Sequence, residues 1–194
     1  MSEFNIDSYW QDEMLAHQKC AQKTYELLQK DFSNILNACV NSINNGKKIM
    51  FIGNGGSASD AQHLATELTV RFVKNRAPIA AIALTTDTST LTAAGNDLGF
   101  DNIFSRQIEA IGQDEDIVIA ISTSGKSENI IKALEMARSK NIVTIGMSGR
   151  DGGKMPELCE HMIIVPSNIT SHIQEMHILI GHMLCGALEQ KLDL

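Results

Sequence analysis

Lys48-Ile49-Met50-Phe51-Ile52-Gly53-Asn54-Gly55-Gly56-Ser57 is a short β-rich run that breaks into glycines and then into a helical pattern starting at Ser57. A strand, a glycine turn and a helix in that order open a βαβ unit. Outward from this stretch the alternation repeats. Strands are predicted at Lys48–Ile52, Ile79–Leu84, Asp116–Ser122, Ile142–Met147 and Met162–Val165. Helices are predicted at Ser57–Lys74, in a broken region over Ser89–Ile111, at Glu128–Lys140 and at Thr170–Leu192. Strands this apolar need cover on both sides, so the expectation is an α/β chain with a five-stranded parallel sheet and helices on both faces. Ligands of such sheets sit at the carboxyl ends of the strands, which directs attention to the loops after Ile52 and Ile121.

Upstream, Asp7 to Asn44 holds no proline or glycine, and Leu27, Leu28, Phe32, Ile35, Leu36, Cys39, Val40 and Ile43 recur at helical spacing. Residues 1–46 are expected to form an N-terminal segment of two helical pieces. It would pack on a single domain, 47–194, either capping the sheet or supplying an oligomer surface. The glycine-rich patch Ser148-Gly149-Arg150-Asp151-Gly152-Gly153 reads as a turn after the fourth strand.

With 194 residues, 43% of them hydrophobic, the chain suits one core. Its 16 basic and 23 acidic residues give a formal charge of -7, which opposes the attraction that drives nucleic-acid binding. No nucleic-acid partner is expected. The polar start, with Glu3, Asp7, Asp12 and Glu13, lacks the pattern of a secretory leader, and no apolar run approaches the roughly 20 residues of a membrane span. A cytoplasmic protein with no membrane partner is the expectation. Cys20, Cys39, Cys159 and Cys185 are widely spaced without a CxxC pair, so free thiols are expected rather than a disulfide framework.

Two loops carry chemistry. The first, Gly53-Asn54-Gly55-Gly56-Ser57, joins a strand to a helix, so its backbone can approach a ligand and the helix start offers unpaired N–H donors. Gly53, Gly55 and Ala58 also spell a loose G-x-G-x-x-A, the weak signature of a dinucleotide site. The second, Ser122-Thr123-Ser124-Gly125-Lys126-Ser127, puts four hydroxyls around one glycine. One serine is expected to cap the following helix, and the others exceed capping needs. Hydroxyls and amides together suit the acceptor oxygens of a phosphate ester. The P-loop spacing is missing, and a dinucleotide has no use for a second loop, so a single small phosphosugar fits better.

His63 and Glu67 stand four apart on the helix that begins at Ser57 and share a face, a spacing that serves zinc or an ordinary surface contact. The last helix carries Gln174, Glu175, His177 and His182. Gln174 lies about 80° around the helix from His182, whereas Glu175 is nearly in line with it. Spacing therefore gives His63, Glu67 and His182 as a metal site, favours Glu175 as a neighbour, and leaves the fourth ligand open. His17 and His161 read as surface or core-edge residues.

The strings Gly53-Asn54-Gly55-Gly56-Ser57, Gln62-His63, Glu67-Leu68-Thr69-Val70-Arg71 and Gly95-Asn96-Asp97-Leu98-Gly99-Phe100 resemble those of the phosphoheptose isomerases. So do Ile121-Ser122-Thr123-Ser124-Gly125, Gly149-Arg150-Asp151-Gly152-Gly153-Lys154-Met155 and Ile173-Gln174-Glu175-Met176-His177, in order from about Lys47 to the C-terminus. These enzymes belong to the sugar isomerase (SIS) family. The resemblance implies a SIS, flavodoxin-like fold. It also implies conversion of D-sedoheptulose 7-phosphate to D-glycero-D-manno-heptose 7-phosphate through an enediol(ate), the first step of nucleotide-activated heptose synthesis for surface polysaccharide. It further implies one zinc per subunit on His63, Glu67, Gln174 and His182, with Gln174 in place of the Glu175 that spacing favours. Ser122, Thr123, Ser124 and Ser127 would hold the phosphate, and Asn54, Gly55, Gly56, Ser57, Glu67, Asn96, Asp97 and Gln174 would contact the substrate. Glu67 would be the base and His182 the proton shuttle. The family forms homotetramers with sites at subunit contacts. Some relatives carry Asp and Arg where this chain has Ser171 and His172, a departure at the rim of the site. The alternative is a non-catalytic SIS tetramer that binds the replication initiator DnaA.

Overall fold

The chain alternates between strands, of which the central two bury every side chain, and helices that bury one stripe, and the layers follow from that difference. The computed structural model describes residues 4–192. In order these form α1 (Ile6–Leu27), α2 (Gln29–Asn44), β1 (Ile49–Gly53), α3 (Gly56–Thr69), β2 (Ala81–Ala83), α4 (Thr88–Asp97), α5 (Ser105–Ile111), β3 (Ile117–Ile121), α6 (Glu128–Ser139), β4 (Val143–Gly149), β5 (His161–Val165) and α7 (Thr170–Lys191). All strand pairs are parallel and the sheet order is β2-β1-β3-β4-β5, as expected of a doubly wound, flavodoxin-like sheet.

β1 and β3 are buried at every position, and their two-residue period divides the core. Ile49, Phe51, Ile117 and Ile119 face one way, onto Ile35 and Cys39 of α2, Leu64 and Leu68 of α3, and Ile180 and Leu184 of α7. Met50, Ile52, Val118 and Ala120 face the other way, onto Ile108 of α5 and Ile130, Ala133 and Leu134 of α6. Burying one such Leu or Ile contributes about 1.5–3 kcal/mol. That accounts for nearly unbroken apolar strands beside amphipathic helices.

Two predicted elements come out shorter. β2 covers Ala81–Ala83 rather than Ile79–Leu84, because the Ile79 N–H leaves the ladder and donates to the Leu68 carbonyl at the end of α3 (3.0 Å). α3 stops at Thr69 rather than Lys74, because the backbone N–H groups of Phe72, Val73 and Lys74 turn to the Glu189 carboxylate. The N-terminal helix divides at Leu28, as two pieces were expected. Among the described residues no helix is long and apolar enough to cross a membrane. Cys20, Cys39, Cys159 and Cys185 are free thiols, and burial pushes those of Cys39, Cys159 and Cys185 up to about 12.

The chain leaves β1 toward β2 on one side, while β3 lies on the other, with Gly53 paired to Ile121. The loops that follow β1 and β3 therefore start from neighbouring carboxyl ends at the point where the strand order reverses, which is where such sheets bind ligands.

Candidate active site

The two loops are tied together. Asn54 of the first and the buried Asn129 on α6, just beyond the second, exchange amide hydrogen bonds, Asn54 Nδ2 to Asn129 Oδ1 at 2.9 Å and Asn129 Nδ2 to Asn54 Oδ1 at 2.8 Å. Gly56 is small because the Gln174 amide occupies the space a side chain would take: a Cβ there would stand 2.8 Å from Gln174 Nε2. Gln174 thus faces the first loop.

In the second loop Gly125 has φ +62, and a Cβ on it would overlap the Gly152 carbonyl. Lys154 N–H donates to the Gly125 carbonyl at 2.9 Å. The glycine patch after β4, legible in sequence only as a turn, is a wall against which the hydroxyl loop is pressed. The Ser122 Oγ accepts from Gly125 N–H (3.2 Å) and the Ser124 Oγ from Lys126 N–H (3.3 Å). Ser127 occupies the N-cap position of α6, yet its side chain makes no cap hydrogen bond. The expectation that one serine is consumed as a cap does not hold at that position, and the Ser127 hydroxyl is left for another partner.

His63, Glu67 and His182 converge. Each offers one ligand atom, and the three atoms lie within 4.8 Å of one another. His63 Nε2 is 3.0 Å from Glu67 Oε1 and 3.3 Å from His182 Nε2. Leu64 and Gly181, the sequence neighbours of the two histidines, explain why. A Cβ at Gly181 would stand 2.6 Å from Leu64 Cδ1, so the glycine lets α3 and α7 approach closely enough for the adjacent imidazoles to meet. One N–H cannot satisfy both neighbours of His63 Nε2, whereas a cation accepts all three donors. Zinc–nitrogen bonds of about 2.0–2.1 Å place tetrahedral ligand atoms about 3.3 Å apart, which is the separation of the two imidazole nitrogens, so the residues fit a zinc ion. The Phe72 ring stacks on His182 with centroids 5.5 Å apart and planes at 20°. Half-buried Asp60, on α3 before His63, has its carboxyl pushed up by burial, with the two imidazoles opposing the shift.

The other expected residues divide. Glu175, the choice from helical spacing, turns away to bond His17 Nδ1 at 2.8 Å, and His172 lies 3.4 Å from Glu13 on the same side. Sequence order alone cannot show that α1 covers that side of α7. Asn96 and Asp97 are exposed at the end of α4 and hydrogen-bond to each other at 2.7 Å. Reasoning from sequence missed Asn129, Phe72 and Asp60; of these only Asp60, three residues before His63 on one helix, carries a signal in its spacing. The sequence suggests no role for His177. It is fully buried and bonds the Ser148 carbonyl through Nε2 at 3.1 Å, and burial lowers its pKa to about 4 against that bond.

The family profile described as SIS domain matches residues 14–149. A phosphoheptose isomerase of Paramagnetospirillum magneticum is 53% identical over 92% of this chain and 93% of its own. Phosphoheptose isomerase 1 of Campylobacter jejuni is 48% identical over 95% of this chain and 97% of its own. Among solved structures, the phosphoheptose isomerase of Neisseria gonorrhoeae superposes with a TM-score of 0.91 at 37% identity, covering 96% of this chain and 100% of that one. That of Francisella tularensis gives 0.93 at 35% identity with the same coverage. With so much of both chains aligned, and the sheet order and glycine loops where the fold requires them, this chain belongs to the SIS-domain family, among its phosphoheptose isomerases.

Proposed function

We infer that this chain isomerises D-sedoheptulose 7-phosphate to D-glycero-D-manno-heptose 7-phosphate. The observation that carries the chemistry is the convergence of His63, Glu67 and His182 from two helices, in a fold whose hydroxyl loop suits a phosphate. Aldose–ketose exchange moves a proton between adjacent carbons through an enediol(ate), so it needs a base beside the carbon and a donor beside the oxygen. The Glu67 carboxylate takes the proton from C1 and returns it to C2. His182 handles the proton at oxygen. Ser122, Thr123, Ser124 and Ser127 hold the phosphate, and a Ser127 hydroxyl that makes no cap hydrogen bond supports that role. Asn54, Gly55, Gly56, Ser57, Asn96, Asp97 and Gln174 line the sugar.

His63, Glu67 and His182 would hold zinc; Gln174 faces Gly56 within its own chain, so as a fourth ligand it would come from another subunit. Such an ion polarises a carbonyl as a Lewis acid.

A second copy of the chain belongs to the reading. Eleven residues of α3 separate Gly56 from Glu67, about 16 Å of helix. That exceeds the span from carbonyl to phosphate of a seven-carbon sugar phosphate. Val70, Val73, Leu179 and Met183, beside the cluster in sequence, are 64%, 70%, 44% and 50% exposed, apolar surface of the kind that packs on a partner. Both observations support a homotetramer in which loops of one subunit serve the Glu67 of another. The non-catalytic alternative is not favoured, since the relatives above are named isomerases and the donor set is intact.

The test is direct: purified protein incubated with sedoheptulose 7-phosphate, with the product followed by NMR. Conversion that falls on chelation and returns with zinc is expected. No conversion by the zinc-loaded protein refutes the reading.

A further inference from the structure

Behind the cluster lies a buried ion pair. The Arg76 and Glu189 side chains are 0% and 2% exposed, with Nε and Oε1 2.9 Å apart. The same Oε1 accepts from Phe72 N–H at 3.0 Å, and Oε2 accepts from Val73 N–H at 3.1 Å and Lys74 N–H at 3.0 Å. Burial alone raises the Glu189 carboxyl, but these donors hold it at about 2, so it stays charged. Arg76 turns the rest of its fork to backbone carbonyls, with Nη2 on Glu67 at the end of α3 at 2.8 Å and Nη1 shared between Leu68 and Ala77, both at 2.9 Å.

A buried ion pair is a weak source of net stability, because apolar side chains of similar volume are often as good in its place. What this pair does that apolar packing cannot is fix direction. It grips the backbone of Glu67 from one side and the N–H of Phe72 from the other, and the Phe72 ring lies flat on His182. Glu189 itself stands two turns beyond His182 on α7, so one carboxylate links the helix of one ligand to the segment that leaves the helix of the other two.

We propose that Arg76 and Glu189 are positioning residues that, through the 72–76 segment, set the orientation of Glu67 and His182 for metal binding and proton transfer. The proposal rests on the zinc-isomerase reading. Partners behind metal ligands typically change affinity by about 10- to 100-fold.

The experiment measures zinc affinity of the full chain by competition with a chromogenic chelator, for wild type, Glu189→Gln and Phe72→Leu, together with kcat, KM and thermal stability. Glu189→Gln is expected to weaken zinc by about 10-fold or more. Phe72→Leu, which leaves the ion pair intact, is expected to weaken it by about threefold or more. In both, kcat falls while KM for the phosphosugar stays near wild type, a split that a merely destabilised protein does not give. Folded variants with wild-type zinc affinity and kcat overturn the proposal while the zinc reading stands. Wild-type protein that takes up no zinc overturns both. If Glu189→Gln does not fold, Arg76→Lys, which keeps a charge opposite Glu189 but loses the fork onto the Glu67 and Leu68 carbonyls, decides by the same criteria.

Discussion

Replacing Gly125 by alanine tests whether the hydroxyl loop and the glycine wall behave as one rigid piece. Two costs add. Holding a non-glycine residue at φ +62 costs about 1–2 kcal/mol. The new methyl also meets the Gly152 carbonyl and, at 3.1 Å, the Gly153 nitrogen, which are backbone atoms that cannot rotate aside. Overpacking of this kind costs about 1–3 kcal/mol. The sum is about 2–5 kcal/mol, which lowers Tm by about 5–15 °C for a chain of this length. Gly46 supplies the control. It has φ +72 and nothing within 4 Å of its would-be Cβ, so Gly46→Ala carries only the first cost. Differential scanning calorimetry of both variants, with KM for the phosphosugar, reads the difference. Gly125→Ala should melt well below Gly46→Ala and raise KM several-fold with little change in zinc affinity. Equal melting of the two variants would refute the claim that these loops are pressed together.

Glu67→Gln should keep the fold and phosphosugar binding but lower kcat by about 10²-fold or more, the usual contribution of a positioned base; near-normal turnover dismisses Glu67 as the base. Asn129→Ala leaves the Asn54 amide without its buried partner, at about 1–3 kcal/mol, and should raise KM; a urea titration that superposes on wild type contradicts this. His177 is neutral in the fold, with its pKa near 4 against about 6.5 in the unfolded chain. Its depressed value means that the stabilisation is complete above pH 6.5 and drains as pH falls toward 4, by up to about 3 kcal/mol. Urea midpoints between pH 7 and 4.5 should fall in wild type and fall less in His177→Leu; parallel curves would remove this account.

The sheet was legible from sequence because each strand is a compact apolar run bounded by glycine or polar residues, and the period that distinguishes strand from helix is local. The convergence of His63 with Glu67 was legible for the same reason, since four residues make one turn. What could not be read is set by pairs far apart in the chain. Gln174 against Gly56, Asn54 against Asn129 and Phe72 against His182 are contacts between elements, and no periodicity encodes them. The end of α3 is the plainest case. The helical pattern continues past Thr69, but Glu189, more than a hundred residues later, takes the N–H groups that would have continued it.

The two contacts between α1 and α7 run in opposite polarity, acid to imidazole at Glu13–His172 and imidazole to acid at His17–Glu175. Such an arrangement works as a keyed joint. Slipping α1 forward by a turn would set Glu13 beside Glu175, acid against acid, so one alignment is selected over its neighbours by repulsion as well as attraction. Exchanging His17 and Glu175 with each other keeps an acid–imidazole pair there but gives both contacts one polarity, so the repulsion against the slipped alignment is lost and with it control of where the exposed aromatic end of α1, with Tyr9 and Trp10, is aimed.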